Sequence, residues 1–212
     1  MSVQRFRGAT SLGFLDCTVV DYANGTFEAF YVTGSVSIVD CLWHSCGPLR
    51  SGQLLVSGCD VFGNSGWAPF LEDSAVMSDS LFQDNFAYDG GGVIYCGVVS
   101  ATDCSFIGNY VSGIDDYFGG AICASAVTLS NCYFRENRSG GGGAISCGSL
   151  VAEDCTFEAN ESFAQKYGPY GGGAIMASNV DLVGCVFFNN RDVSTSGPGL
   201  APGGAVSSEQ GV

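Results

Sequence analysis

The chain has 212 residues, 46% of them hydrophobic, with 32 glycines and 15 phenylalanines; it is long enough for a sizeable core and too apolar for a disordered linker. Lys and Arg number 7 against 21 Asp and Glu, a net charge of −14, so there are too few cations to line a phosphate groove. Nucleic acid and anionic membrane surfaces are excluded as partners.

No apolar run reaches the roughly 18 residues of a membrane span, so no transmembrane segment is expected. The first residues, MSVQRFRGAT, carry no apolar stretch of a signal peptide. A surface or extracellular location would therefore require that the chain belong to a longer precursor.

From the N-terminus onward one short pattern returns eight times. It reads CTVVDY from Cys17, CLWHSC from Cys41, CDVFGN from Cys59 and SLFQDN from Ser80. It continues as CSFIGN from Cys104, CYFREN from Cys132, CTFEAN from Cys155 and CVFFNN from Cys185. Five and three residues before each column position stand apolar side chains, such as Val99 and Ala101 or Leu150 and Ala152. With the column residue and the following Phe they predict a run alternating at every second residue, the signature of a strand. From the fifth unit onward a pair of glycines precedes the column, the second being Gly92, Gly120, Gly143 and Gly173, each twelve residues before its Cys. The distance from the terminal Asn to the next second glycine instead varies from six to fourteen residues.

A fixed unit of this length, with short strands, glycine bends and no helical period, predicts a solenoid. The predicted fold class is all-β: one right-handed parallel β-helix of about eight coils and three strands per coil, the hand being that of the usual crossover. The domain spans 1–212, with degenerate coils over 1–90 and regular ones over 91–206. A ninth unit opening at Gly203 and Gly204 suggests a piece of a longer chain whose open end packs on a neighbour. The paired glycines mark a bend where a side chain would clash or where φ must be positive. Asn64, Asn85, Asn109, Asn137, Asn160 and Asn190 are expected to stack through their amides. The column cysteines, among them Cys104, Cys132, Cys155 and Cys185, are read as buried free thiols acting as small hydrophobes.

Gly119-Gly120-Ala121-Ile122 with Phe134-Arg135-Glu136-Asn137 resembles the GGAI/FxxN repeat of the chlamydial polymorphic outer membrane proteins. Gly142–Ile145 with Phe157–Asn160 resembles it equally, Gly172–Ile175 pairs with an adapted Phe187–Asn190, and Gly91–Ile94 with Phe106–Asn109 is a near match, over roughly residues 90 to 190. The resemblance implies a right-handed β-helix like an autotransporter passenger domain, displayed at a surface and involved in adhesion.

Chemistry is sparse in the fixed segments. His44 is the sole histidine, with Asp40 and Asp60 on neighbouring units. Asp16, Asp40, Asp79, Asp103 and Asp154 directly precede the column and point outward. They read as turn-capping residues, with Asp79, Asp103 and Asp154 as weak Ca²⁺ contacts in the sharper reading. No other cofactor is implied. The variable segments carry Tyr88, Asp89, Tyr117, Phe118, Glu161, Tyr167 and Tyr170. Exposed tyrosines and acids on a rigid edge suit binding. The expected function is a non-catalytic, adhesin-like recognition or scaffold module for a protein or carbohydrate surface. The alternative is a polysaccharide lyase or hydrolase using Asp115, Asp116 and Lys166.

Overall fold

A computed structural model describes residues 6–20, 30–66, 70–112, 118–163, 171–193 and 204–208. Every regular element among them is a β-strand, and the strands form three parallel sheets. The first sheet stacks Phe6–Leu15, Phe30–Val39, Leu49–Ser57, Phe70–Ser78, Ile94–Thr102, Ile122–Ser130, Ile145–Glu153, Ile175–Val183 and Val206–Ser208 in chain order. The second stacks eight three-residue strands from Thr18–Val20 to Val186–Phe188, and the third stacks six two-residue strands from Ser65–Gly66 to Arg191–Asp192. From the third coil to the eighth each coil contributes one strand to each sheet, so the molecule is a parallel β-helix with three strands per coil; among the described residues the first two coils contribute to the first and second sheets only, and Val206–Ser208 begins a ninth coil.

The coil from Ile94 shows how the sequence turns two corners. Ile94–Thr102 runs in the first sheet, Ser105–Ile107 in the second and Tyr110–Val111 in the third. Asp103 has φ 53° and Gly108 φ 63°, both left-handed, and these residues make the corners. The alternation predicted to run unbroken from Val99 to Phe106 is therefore two strands. Ala101 and Cys104 are both buried although three residues apart, because the left-handed residue between them resets the phase.

The same two corners recur along the rod. Asp16, Asp40, Gly58, Asp79, Asp103, Asn131, Asp154 and Gly184 all have positive φ directly before the column. Ser45, Gly63, Asp84, Gly108, Glu136, Ala159 and Asn189 repeat it directly before the Asn position. A left-handed conformation costs an L-residue about 1 kcal/mol or more, least for Asp and Asn, whose side chains bond locally. That explains the residues preceding the column.

Column cysteines do more than fill space. Cys41 donates its thiol to the carbonyl of Val39 at 3.0 Å, Cys59 to Ser57 at 3.1 Å, Cys104 to Thr102 at 3.2 Å and Cys155 to Glu153 at 3.2 Å. Ser80 makes the same bond with its hydroxyl, 2.6 Å from the Ser78 carbonyl. The column side chain thus spans the left-handed corner, which needs a small donor rather than any small hydrophobe. Among the described residues no two cysteines are joined in a disulfide.

At the second corner the asparagines form a buried ladder. Asn85, Asn109, Asn137 and Asn160 are at most 1% exposed. Each donates Nδ2 to the Oδ1 of the next and to a carbonyl of the coil before, as Asn109 does to Asn137 at 2.9 Å and to Phe82 at 3.0 Å. Cys46, which fits no column in the sequence, occupies the first rung: its N–H donates to Asn64 Oδ1 at 2.8 Å.

Beneath the ladder Phe82, Phe106, Phe134, Phe157 and Phe187 stack at 4.7 to 5.0 Å between centroids. Such contacts contribute about 0.5–1.5 kcal/mol each beyond their buried area. Trp43 takes the Phe place in the second coil, fully buried against Phe14 and Phe70. The paired glycines answer the clash alternative. Neither Gly119 nor Gly120 is among the positive-φ residues. A Cβ on Gly119 would stand 1.9 Å from the Ile122 carbonyl oxygen, and one on Gly120 2.0 Å from that of Gly143.

Candidate functional site

The third sheet closes each coil and passes the chain to the variable segments. In its strands the first residue faces out and the second is buried. Parallel register therefore stacks Ser65, Phe86, Tyr110, Arg138, Glu161 and Arg191 in one outward column. Its lower half is aromatic. Phe86 meets Tyr88 edge-on at 5.0 Å and Tyr110 at 5.6 Å, and Tyr110 lies 5.9 Å from Phe163. Its upper half is ionic. Glu161 pairs with Arg138 at 2.6 Å and with Arg191 at 2.5 Å, and the Arg138 guanidinium also lies over Phe163 at 4.9 Å. Both guanidinium groups are exposed although Glu161 is largely covered, and pairs with such exposed partners add modest stability.

Of the residues expected at the binding edge, Tyr88 is 56% exposed and belongs to the aromatic half, and Glu161 holds the ionic half together. Asp89 is half-buried beside Tyr88 in the chain. Phe118 is half-buried, and its carbonyl accepts the Ser139 hydroxyl at 2.7 Å. Tyr117, Tyr167 and Tyr170 lie outside the described residues, and so do Asp115, Asp116 and Lys166 of the catalytic alternative. Phe86, Tyr110, Arg138, Phe163 and Arg191 complete the strip. For Phe86, Tyr110, Arg138 and Arg191 the signal in the sequence is the position directly after each ladder Asn.

Asp79, Asp103 and Asp154 are exposed at left-handed corners. Asn131 stands between the latter two along the axis, and its amide donates to the Asp103 carboxylate. Among the described residues no three His, Cys, Asp or Glu side chains converge to hold a metal. His44 stacks flat on Phe62 at 4.9 Å and its Nδ1 lies 3.3 Å from the Ser45 hydroxyl.

A second feature lies at a phase break that recurs along the first sheet. On the first sheet the strands bend at Gly97: Cys96 is buried, Val98 is exposed and Val99 is buried again. The bend opens a cleft of about 380 Å³ lined by Arg50, Ser51, Glu72, Asp73, Tyr95 and Cys96, with Gly97 at its floor. Glu72 is only 8% exposed. Its Oε2 accepts the Ser51 N–H at 2.6 Å and also the Ser51 hydroxyl. Its Oε1 is buried with no hydrogen-bond partner among the described residues. Burial pushes the carboxyl up to about 8, against the lowering effect of the two Ser51 bonds.

The family described as right handed beta helix region matches residues 93–210, more than half of the chain, and the chain belongs to it. The Chlamydia polymorphic membrane protein repeat matches residues 79–97, the stretch holding SLFQDN and the first GGVI. No curated protein and no solved structure is significantly similar to the chain. No helix among the described residues is long and apolar enough to cross a membrane.

Proposed function

We propose that this member of the right-handed β-helix family is a non-catalytic recognition or scaffold module that meets a protein or carbohydrate surface along its third-sheet edge. One observation carries the reading: the outward column from Phe86 to Arg191, flanked by Tyr88 and Phe163, is built from large aromatic and charged side chains. Stacking in the core explains the inward residues of every coil, but it asks nothing of this face beyond solubility. Rigid strands hold the aromatics at fixed spacing, which suits a partner presenting several contacts in a row. The match to a repeat of polymorphic membrane proteins supports display at a cell surface.

The test is a panel of glycans and cell-surface proteins screened against the chain and against Tyr88→Ala, Tyr110→Ala and Phe163→Ala. At least tenfold weaker binding for two of the three variants is expected, with circular dichroism unchanged. Turnover of any polysaccharide, or a ligand whose affinity ignores all three substitutions, would overturn the reading.

A further inference from the structure

We propose that the cleft at Glu72 is a binding site for a primary ammonium group, held between the Glu72 carboxylate, the Asp73 carboxylate and the ring of Tyr95. The site lies on the first sheet and does not depend on the third-sheet strip. Glu72 stands in register with Ser51 on one side and Cys96 on the other, a column position that other coils fill with Ala124, Cys147 and Ala177. A carboxylate there is not required by the fold. Both of its Ser51 bonds converge on Oε2, and Oε1 is buried without a partner among the described residues. An unpaired buried carboxylate oxygen is costly unless a cation or donor reaches it.

The surroundings select a cation. Asp73 adds a second carboxylate at the cleft, and Tyr95, 50% exposed, lines it as well, an aromatic ring of the kind that attracts cations. Arg50, which also lines the cleft, sits over the Tyr31 ring at 6.0 Å, and its charge favours ionised Glu72 as an added ammonium would. The net charge of −14 favours cations throughout. A cleft of about 380 Å³ admits an alkylammonium chain, and a compact ammonium has three donors, enough to span Glu72 and Asp73. Cys96, the remaining titratable neighbour, turns its thiol to the Val98 carbonyl at 3.3 Å.

Calorimetric titration with n-butylammonium chloride tests the site. Binding needs the ionised carboxylate, so affinity should rise roughly 50-fold between pH 6 and pH 8 as Glu72 loses its proton, with proton release on binding at pH 7. Glu72→Gln keeps the shape and should weaken binding at pH 8 at least tenfold. A lysine-containing peptide and its Nζ-acetylated form separate the sources. Tighter binding of the unmodified peptide than of butylammonium assigns the ammonium to a protein side chain, and the reverse assigns it to a small amine; either result supports the site. Three outcomes overturn it: a flat pH profile, equal affinity in Glu72→Gln (general attraction to an acidic surface), or affinity that falls as pH rises. A fall would mean that the neutral acid donates to an acceptor instead.

Discussion

Asn109 and Asn137 are joined twice: Asn137 Oδ1 accepts the Asn109 side-chain amide at 2.9 Å and its backbone N–H at 3.0 Å. Asn137 in turn donates to the Phe106 carbonyl at 2.8 Å and to Asn160 Oδ1 at 3.0 Å. One side chain therefore satisfies buried polar groups of two coils, the one before its own and the one after.

Replacing Asn137 by Ala leaves those buried groups without their partners. At about 1–3 kcal/mol for each unsatisfied group, partly relieved by water, a loss of about 4 kcal/mol is expected in urea unfolding. Asn190→Ala, at a partly exposed rung, should lose about half as much. Equal losses at the two sites would show that burial of the ladder is not what makes it matter. The same bonds bear on the Asn-x-Ser sequences at Asn137 and Asn160: their amides are occupied, so the folded chain should carry no glycan there.

The second corner yields a matched pair of backbone tests. Ala159 has φ 51°, and Gly63, at the equivalent place, has φ 60° with nothing within 4 Å of the point where a Cβ would stand. Ala159→Gly relieves left-handed strain but raises the entropy of the unfolded chain, for a net gain of about 0.5 kcal/mol. Gly63→Ala is the reverse change and should cost about 0.5 kcal/mol, the strain less the entropy removed from the unfolded chain. Thermal unfolding of both variants checks the signs, which must be opposite.

Thiol reactivity should divide along the rod. Cys41, Cys59, Cys104, Cys132 and Cys155 are buried, whereas Cys17, Cys123, Cys147 and Cys185 are partly exposed. Burial pushes Cys123 up to about 11 and Cys147 up to about 12, so even these hold little thiolate at pH 8. With an aromatic disulfide reagent, only the partly exposed group should react in the native chain, and slowly, while all eleven cysteines react in denaturant. Rapid native reaction of most of them would refute the buried column.

Periodicity made the sheets, the column and the asparagine ladder legible, because stacking forces the same residue type into the same place coil after coil. Geometry hidden within the period was harder to read. Asp103 and Gly108 look unlike one another, yet both are left-handed corners, and only the positions aligned across coils show it. Cys46 is unreadable as a ladder member until its N–H is seen against Asn64. Glu72 is hard to read for the opposite reason. It departs from its column, and an acid beside another acid in Glu72-Asp73 reads as a solvated pair until the register with Cys96 shows Glu72 at the buried place before the phase break.

Glu72 also makes stability depend on pH. Its carboxyl is raised from 4.5 to about 8 by burial. Between those values the native chain keeps a proton that the unfolded chain has released, so Glu72 stabilises fully below about pH 4.5 and ever less as pH rises to about 8. Acting alone, the shift amounts to about 5 kcal/mol across that window. Glutamine cannot ionise, keeps an acceptor for Ser51 and removes the dependence. Glu72→Gln and the parent chain should therefore have similar urea midpoints at pH 4, and the variant should be the more stable by several kcal/mol at pH 9. Other carboxylates change both chains alike and cancel in the difference. A difference that stays flat from pH 4 to pH 9 would mean that Glu72 is ionised in the native state throughout, its Oε1 already matched by a cation or a donor.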